Sequence, residues 1–220
     1  MAKILHERGD AELFVITDDL YRRLVYAPAR FCSLLQIDPT LQKRVVLVDG
    51  VSKSYAMTGW RIGYCAAPAP ITAAMQKLQG QTMTNATTVA QYAATAALTG
   101  DQQPVAAMAA EFDARRRVMA QALSAIPDVR CPMPSGAFYC FPDVSAYLQP
   151  PGSAAAARGL PTNDVQLTEW LLEHAGIACV PGSGFFAPGH LRFSYATAPP
   201  LIEEGMRRFA GGLQALRAAL

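Results

Sequence analysis

The sequence predicts an α/β chain in two parts, a mostly parallel sheet with its helices and then a smaller α+β region. Three observations support that reading. Short runs rich in β-forming residues, Leu13–Thr17, Val45–Val48 and Arg61–Ala67, are bounded by turn residues, as buried strands are. Apolar residues at helical spacing fill much of the remaining chain. Gly100 closes one helical pattern and Pro104 opens the next, so separate domains are expected over residues 1–102 and 103–220.

Taken in order, Ala2–Gly9 reads as the end of a helix closed by Gly9. The strand Leu13–Thr17 delivers Asp18, then Asp19, Leu20 and Tyr21; ligands of open α/β sheets gather at such carboxyl ends. Residues 27–44 form a polar connection with room for a short helix. Val45–Val48 and Arg61–Ala67 are the next strands, the latter stopped by Pro68. Pro70–Leu78 is helical, with Pro70 acceptable in a first turn. Gln81–Thr87 fits neither period and reads as a loop before the helix Val89–Leu98, which Asn85, Thr87 or Thr88 can cap.

Beyond the boundary, Val105–Ile126 is a long helix closed by Pro127 and Asp128. Val129–Cys131 and Ala137–Phe141 read as strands around the turn Pro134-Ser135-Gly136, with the aromatic residues as core. Pro150–Thr162, rich in Pro, Gly and Ala, is expected to be a mobile, exposed loop. Asp164–His174 is an amphipathic helix, Ile177–Val180 a strand, and Pro181-Gly182-Ser183-Gly184-Phe185 a turn. Leu191–Tyr195 alternates, which sets Arg192 and Phe193 on opposite faces. Ile202–Leu220 is a closing amphipathic helix, and no internal repeat is present.

Composition narrows the function classes. The 220 residues are 51% hydrophobic and 16% charged, with a net charge of +2, which suits a core-rich globular protein and gives no footprint for nucleic acid. The run Arg115-Arg116-Arg117 reads as a solvated or interface face. Five cysteines are scattered without metal-ligand spacing, so no metal site and no disulfide framework is expected, and a reducing cytoplasm fits best. His6, His174 and His190 have no partner at catalytic spacing. The N-terminus lacks the apolar core of a signal peptide, and no run of about 18 apolar residues suggests a membrane span.

The chemistry gathers in residues 48–64, VDGVSKSYAMTGWRIGY. A strand leads into a small polar loop holding Ser52, Lys53 and Ser54, and Arg61 follows eight residues after the lysine. A lysine amine in a closed, partly apolar site loses proton affinity and can form a Schiff base with an aldehyde. An arginine fork can hold a phosphate through two hydrogen bonds. A cofactor carrying both groups, pyridoxal phosphate, would use both residues, although a lysine in such a turn is more commonly just solvated.

The whole string SKSYAMTGWRIGY resembles the cofactor-lysine motif of the class I aminotransferases, fold type I pyridoxal phosphate enzymes, closest to their aspartate and aromatic branch. The resemblance implies that Lys53 is the catalytic residue and carries the cofactor, that Arg61 binds its phosphate, and that Ser52 either assists Arg61 or only bonds its own turn. DDLY resembles the family's D-E-x-Y motif. By that match Asp18 faces the pyridine nitrogen and Tyr21 the ring hydroxyl; taken alone, the two read rather as a helix cap and half-buried core. LRFSYA resembles the family's R-x-S-Y-A segment, which implies that Arg192 clamps the substrate carboxylate. In isolation Arg192 would read as a surface arginine on a half-buried strand. PSGAFY is a further family string.

The same resemblance implies the fold assignment: the end of the large, mostly parallel-sheet domain of a pyridoxal phosphate transferase, then the small α+β C-terminal domain. The implied reaction moves an amino group between an amino acid and a 2-oxo acid. A homodimer is implied too, with Thr84 and Asn85 reaching toward the partner subunit's site. No NPTG-like string is present, so the chain reads as the C-terminal portion of a longer enzyme, with feeble turnover expected on its own. The same residues would serve a β-lyase, decarboxylase or synthase. An aminotransferase-like domain of a transcription regulator is a further alternative, although no basic DNA-reading segment precedes residue 12.

Overall fold

The computed structural model describes residues 2–8 and 13–219. They form two compact units, Met1–Ala109 and Ala110–Leu220.

The first unit opens with helix α1 (Ala2–Arg8), strand β1 (Val15–Asp18), the one-turn helix α2 (Leu34–Ile37) and strand β2 (Val45–Gly50). Gly9, the expected helix stop, lies outside the described residues. Strand β3 (Gly63–Ala66) and helices α3 (Ala69–Thr82) and α4 (Thr88–Thr99) follow. The strands form one sheet in the order β1-β2-β3. β1 runs parallel to β2, Asp18 opposite Val48, whereas β2 and β3 are antiparallel, Gly50 opposite Gly63. One of the two pairings therefore departs from a parallel sheet. The reason is the connection: parallel strands need a long crossover, which residues 19–44 supply, while residues 51–62 only turn the chain back.

Two apolar clusters hold this unit. Leu5, Leu34, Leu41 and Val45 bury together beneath α1 and α2. Val51 and Ile62, which flank the Lys53 turn, bury against Ala90 and Ala94 of α4. Helix α3 runs further than its sequence pattern, through Gln81 and Thr82, and the Thr82 hydroxyl donates to the Leu78 carbonyl at 3.0 Å. No side chain caps the N-terminus of α4, so the capping expected from Asn85 or Thr87 is not made.

Helix α5 (Gln103–Ser124) carries the division between the units. The second unit adds strand β4 (Tyr139–Cys140), the one-turn helix α6 (Ala154–Ala157), helix α7 (Asp164–Ala175), strands β5 (Val180–Pro181) and β6 (Leu191–Ser194), and helix α8 (Pro199–Ala218). Its sheet is antiparallel in the order β4-β6-β5. Leu191, Phe193 and Tyr195 point into the core, where Phe193 meets Phe209 of α8 edge to face at 4.9 Å. Helices α7 and α8 approach closely at Gly212, where an added Cβ would sit 3.1 Å from that of Ala175.

Three expectations are corrected here. The strand Val129–Cys131 reduces to a single bridge, Arg130 with Asp143, because Pro132 and Pro134 have no amide to continue a ladder. The loop Pro150–Thr162 contains α6, capped by the Ser153 hydroxyl accepting from the Ala156 amide, with Ala155 buried. Arg116 is buried rather than solvated: it pairs with Asp113 and donates to the Pro134 carbonyl at 2.5 Å.

Candidate active site

The first unit assembles most of the expected residues by linking two turns. β1 ends on Asp18, whose carboxylate accepts from the Leu20 amide at 3.1 Å, so it closes a turn and caps no helix. Asp19 N–H donates to the Val48 carbonyl at 2.9 Å, which carries the pairing with β2 one residue further. After β2 the chain coils through Val51, whose carbonyl accepts from both the Tyr55 and Met57 amides at 3.3 Å. Lys53 lies half-buried in that coil, and its carbonyl accepts from the Ala56 amide. The buried Ser54 hydroxyl donates to the Leu20 carbonyl at 3.1 Å. This one bond fastens the Lys53 turn to the turn bearing Asp18 and half-buried Tyr21. On the other side, Tyr55 donates to Gln102 at 2.9 Å, and Val51 seals the floor.

Two non-glycine residues in this stretch adopt the left-handed conformation, Ala56 at φ 54° and Arg61 at φ 55°. Such residues store of order 1–3 kcal/mol each and persist where the surroundings over-determine them, as at ligand sites. Arg61 is exposed, and its Nη1 donates to the Thr58 carbonyl at 3.1 Å, leaving Nε and Nη2 for an anion. Ser52 is half-buried in the same turn. An amine, a carboxylate, a phenol and a guanidinium thus lie on one pair of tethered turns. That donor set fits a ligand with an aldehyde, a ring nitrogen, a ring hydroxyl and a phosphate.

A second cluster was not anticipated from sequence. Asp49, 3% exposed, accepts from the Gly50 amide at 2.7 Å and the Tyr64 hydroxyl at 2.9 Å, and pairs with Arg22 Nε at 2.5 Å. Burial lowers the Arg22 pKa, but hydrogen bonding to Tyr64 and the Asp49 charge outweigh it and raise the value overall. Burial, then the bond to Asp49, also raises the Tyr64 phenol. The cluster locks the turn after β1 to β2 and β3. A cleft of about 810 Å³ beside it is lined by Asp19, Arg22, Arg30, Asp49 and Tyr64; Lys53, Asp18 and Tyr21 are not part of that lining. The tethered turns, with their chemistry, make the better candidate site.

Thr84 and Asn85 lie exposed between α3 and α4, with Thr84 left-handed at φ 61°. The Thr84 hydroxyl donates to the Met83 carbonyl at 2.6 Å and the Asn85 amide group to the Ala86 carbonyl at 2.9 Å.

In the second unit, Arg192 projects from the face of β6 opposite Leu191 and Phe193. Its guanidinium lies over the Tyr139 ring at 4.5 Å and the Phe185 ring at 4.4 Å. Stacking fixes the plane of the fork. Among the described residues its N–H groups make no hydrogen bond, so the fork is available to a carboxylate. The turn that carries Phe185 is tied down two residues earlier, where Asp164 at the start of α7 accepts from the Ser183 amide at 2.6 Å and from the Ser183 hydroxyl. Burial alone would raise the Asp164 carboxyl; the Ser183 bonds, joined by the Asp164 and Gly189 amides, outweigh it and lower the value. In sequence Tyr139, Phe185 and Asp164 read as core, turn and helix start, and neither strand alternation nor the R-x-S-Y-A resemblance at Arg192 points to them.

Among the described residues, no group of His, Cys, Asp or Glu is placed to hold a metal ion, and no helix is long and apolar enough to cross a membrane. The histidines serve structure: His6 pairs with Asp38 at 2.5 Å, and His174 and His190 stack on Trp170 and Phe141.

Comparison with known proteins adds an independent line. The family model described as aminotransferase class I and II matches residues 3–209. The aspartate aminotransferase of Geobacillus stearothermophilus is 41% identical over 89% of this chain and 48% of its own length. The aspartate/prephenate aminotransferase of Nitrosomonas europaea is 38% identical over 90% of this chain and 50% of its own. In structure, the aspartate aminotransferase from Rhizobium meliloti superposes with a TM-score of 0.87 at 34% identity, over 96% of this chain and 52% of that one. The aromatic aminotransferase from Pyrococcus horikoshii gives 0.86 at 34% identity, over 100% and 55%. The chain spans about half the length of the relatives it matches, and members of their family depend on pyridoxal phosphate. With residues 3–209 covered by the family model and sequence and structure in agreement, the chain belongs to the class I and II aminotransferases.

Proposed function

We propose that this chain is the C-terminal portion of a pyridoxal phosphate-dependent aminotransferase that moves an amino group between an amino acid and a 2-oxo acid. The observation that carries the proposal is the Ser54–Leu20 hydrogen bond, which holds the Lys53 turn against the turn of Asp18 and Tyr21. The chain spans about half the length of its aminotransferase relatives, and in this reading residues 1–102 end a large cofactor domain and 103–220 form a small one.

When bound, the cofactor supplies an aldehyde that accepts amines and a ring that draws electrons from the substrate's α-carbon. Lys53 is the amine that holds the aldehyde. Its Nζ would also carry the proton to and from the substrate's α-carbon as general base and acid. Asp18 keeps a proton on the ring nitrogen by its negative charge, and Tyr21 hydrogen-bonds the ring hydroxyl. Arg61, assisted by Ser52, receives the phosphate, and Arg192 orients the substrate carboxylate through two parallel hydrogen bonds. The working enzyme is a homodimer in this proposal, with exposed Thr84 and Asn85 turned toward the partner's site, and it acts in the cytoplasm.

Mixing the protein with pyridoxal phosphate, reducing with borohydride and mapping the product by mass spectrometry tests the central residue. An adduct confined to Lys53 is expected. In the complete enzyme, Lys53→Ala should lower amino transfer by at least about 100-fold, and full retained turnover would refute the assignment.

A further inference from the structure

The Arg22–Asp49–Tyr64 cluster lies outside the donor set of the proposed site, yet it fastens the same two turns. Asp49 stands on β2, four residues before Lys53, and Arg22 directly follows Tyr21. Both carboxylate oxygens of buried Asp49 are engaged. Oδ1 accepts from the Gly50 amide at 2.7 Å, while Oδ2 accepts from the Tyr64 hydroxyl at 2.9 Å and pairs with Arg22 Nε at 2.5 Å. Arg22 Nη2 donates to the same Tyr64 oxygen at 3.5 Å. Tyr64 stands on β3 as the antiparallel partner of Asp49. One carboxylate therefore ties the turn after β1 to the two strands that flank the Lys53 turn.

Tyr21 sits between two anchored neighbours. The Leu20 carbonyl before it accepts from Ser54 Oγ at 3.1 Å, and Arg22 after it is held by Asp49. The Leu20 side chain packs against Gly50, where an added Cβ would fall 3.0 Å from Leu20 Cδ1. Within the turn, the Arg22 amide donates to the Asp19 carbonyl at 2.9 Å and the Leu24 amide to the Tyr21 carbonyl at 2.8 Å. The backbone on both sides of Tyr21 is thus tied to the segment that bears Lys53. A side chain that contacts a ligand keeps its geometry to about 0.5 Å only where packing and hydrogen bonds behind it lock it in place.

We propose that Arg22 and Asp49, with Tyr64 behind them, are positioning residues that hold the Tyr21 phenol in place relative to Lys53. This role rests on Lys53 and Tyr21 contacting the cofactor as proposed above. Arg22 does not touch the cofactor and acts through Tyr21. A phenol that donates to the cofactor's ring oxygen favours the deprotonated form of that oxygen. The pH at which the bound cofactor changes its absorbance therefore reports the bond. It is lowered while the phenol is in place and rises when the phenol is lost or displaced.

Arg22→Met, Tyr21→Phe and the double variant are made in the complete enzyme, loaded with pyridoxal phosphate and titrated by absorbance. Arg22→Met should move the titration upward by about half a pH unit or more, in the direction of Tyr21→Phe, and raise the Kd for pyridoxal phosphate about 3–10-fold. The double variant should titrate where Tyr21→Phe does, because no phenol is left to place. Arg22→Lys keeps the charge without the fork and should recover part of the shift. If Arg22→Met does not fold, Tyr64→Phe, which removes only the hydroxyl bonded to Asp49, decides in its place and should move the titration the same way. A lowered melting temperature with an unmoved titration overturns the proposal, because the cluster is then structural only. A double variant shifted beyond Tyr21→Phe overturns it as well. Failure of the site itself reads differently: borohydride leaves no adduct at Lys53 in the unaltered enzyme, or Tyr21→Phe titrates as the unaltered enzyme does, and this role falls with the site.

Discussion

Replacing Asp164 by alanine should loosen the turn that presents Phe185 to Arg192. The carboxylate is 2% exposed and accepts two hydrogen bonds from Ser183, one from the amide at 2.6 Å and one from the hydroxyl. A hydrogen bond to a charged group contributes about 1.5–3 kcal/mol. Ser183 is exposed, so water recovers part of both bonds in the variant, and a loss of about 2–4 kcal/mol is expected. The pH dependence follows from the lowered carboxyl, which the Ser183 bonds and the Asp164 and Gly189 amides together hold below its ordinary value against the opposing effect of burial. A group whose folded pKa is depressed adds stability above its unfolded value, about 3.9 for Asp, and loses it as pH falls through the folded value. The stability gap between the natural chain and Asp164→Ala should therefore stay level from about pH 7 to about pH 5 and close below about pH 4. Urea titrations followed by circular dichroism across that range measure the gap. Hydrogen exchange over residues 180–190 reports whether the turn itself opens. Equal stability near neutral pH, or a gap that persists undiminished in acid, would sink the reasoning.

Two further substitutions probe the same unit. Gly182→Ala places a Cβ 2.2 Å from the Ala187 carbonyl oxygen and 2.7 Å from that of His190, both backbone atoms that cannot swing aside. A loss of about 2 kcal/mol or more is expected in thermal unfolding, and an unchanged melting temperature would contradict the packing described. Phe209→Ala empties a fully buried site against Phe193, with an expected loss of about 3–5 kcal/mol in the same assay.

The parts of this molecule that were legible in the sequence are those set by neighbours along the chain. Val45–Val48 is rich in β-branched residues and forms a strand, extended to Gly50 because β3 supplies antiparallel partners for Asp49 and Gly50. Alternation placed Arg192 on the open face of β6, while Leu191 and Phe193 fill the core. What escaped depends on residues distant in sequence. Asp49 acquires its setting from Arg22 and Tyr64, Arg192 from Tyr139 and Phe185, and Asp164 from Ser183. None of these pairings follows a helical or strand period, so no local pattern announces them. Arg116 shows the reverse error. Three adjacent arginines suggested one solvated face, but successive helical residues point in different directions, and the middle one turns inward to Asp113 and Pro134. The chemistry proposed for Lys53 rests on the long string around it, since a lysine in a polar turn carries no mark of catalysis by itself.

The strand order of the first unit bears on how firmly the two turns of the proposed site are mounted. Among the described residues, in the order β1-β2-β3, β2 is bonded on both sides, and β1 and β3 on one side each. Local opening begins at edges, where fewer ladder bonds must break, and reaches a central strand last. Lys53 is suspended from the end of β2, and Asp18 from the end of β1, where neighbouring Ile16 is 73% exposed. Fraying of β1 would therefore displace the carboxylate before the lysine. The bond from Ser54 to the Leu20 carbonyl opposes that displacement, and with it the two turns breathe together.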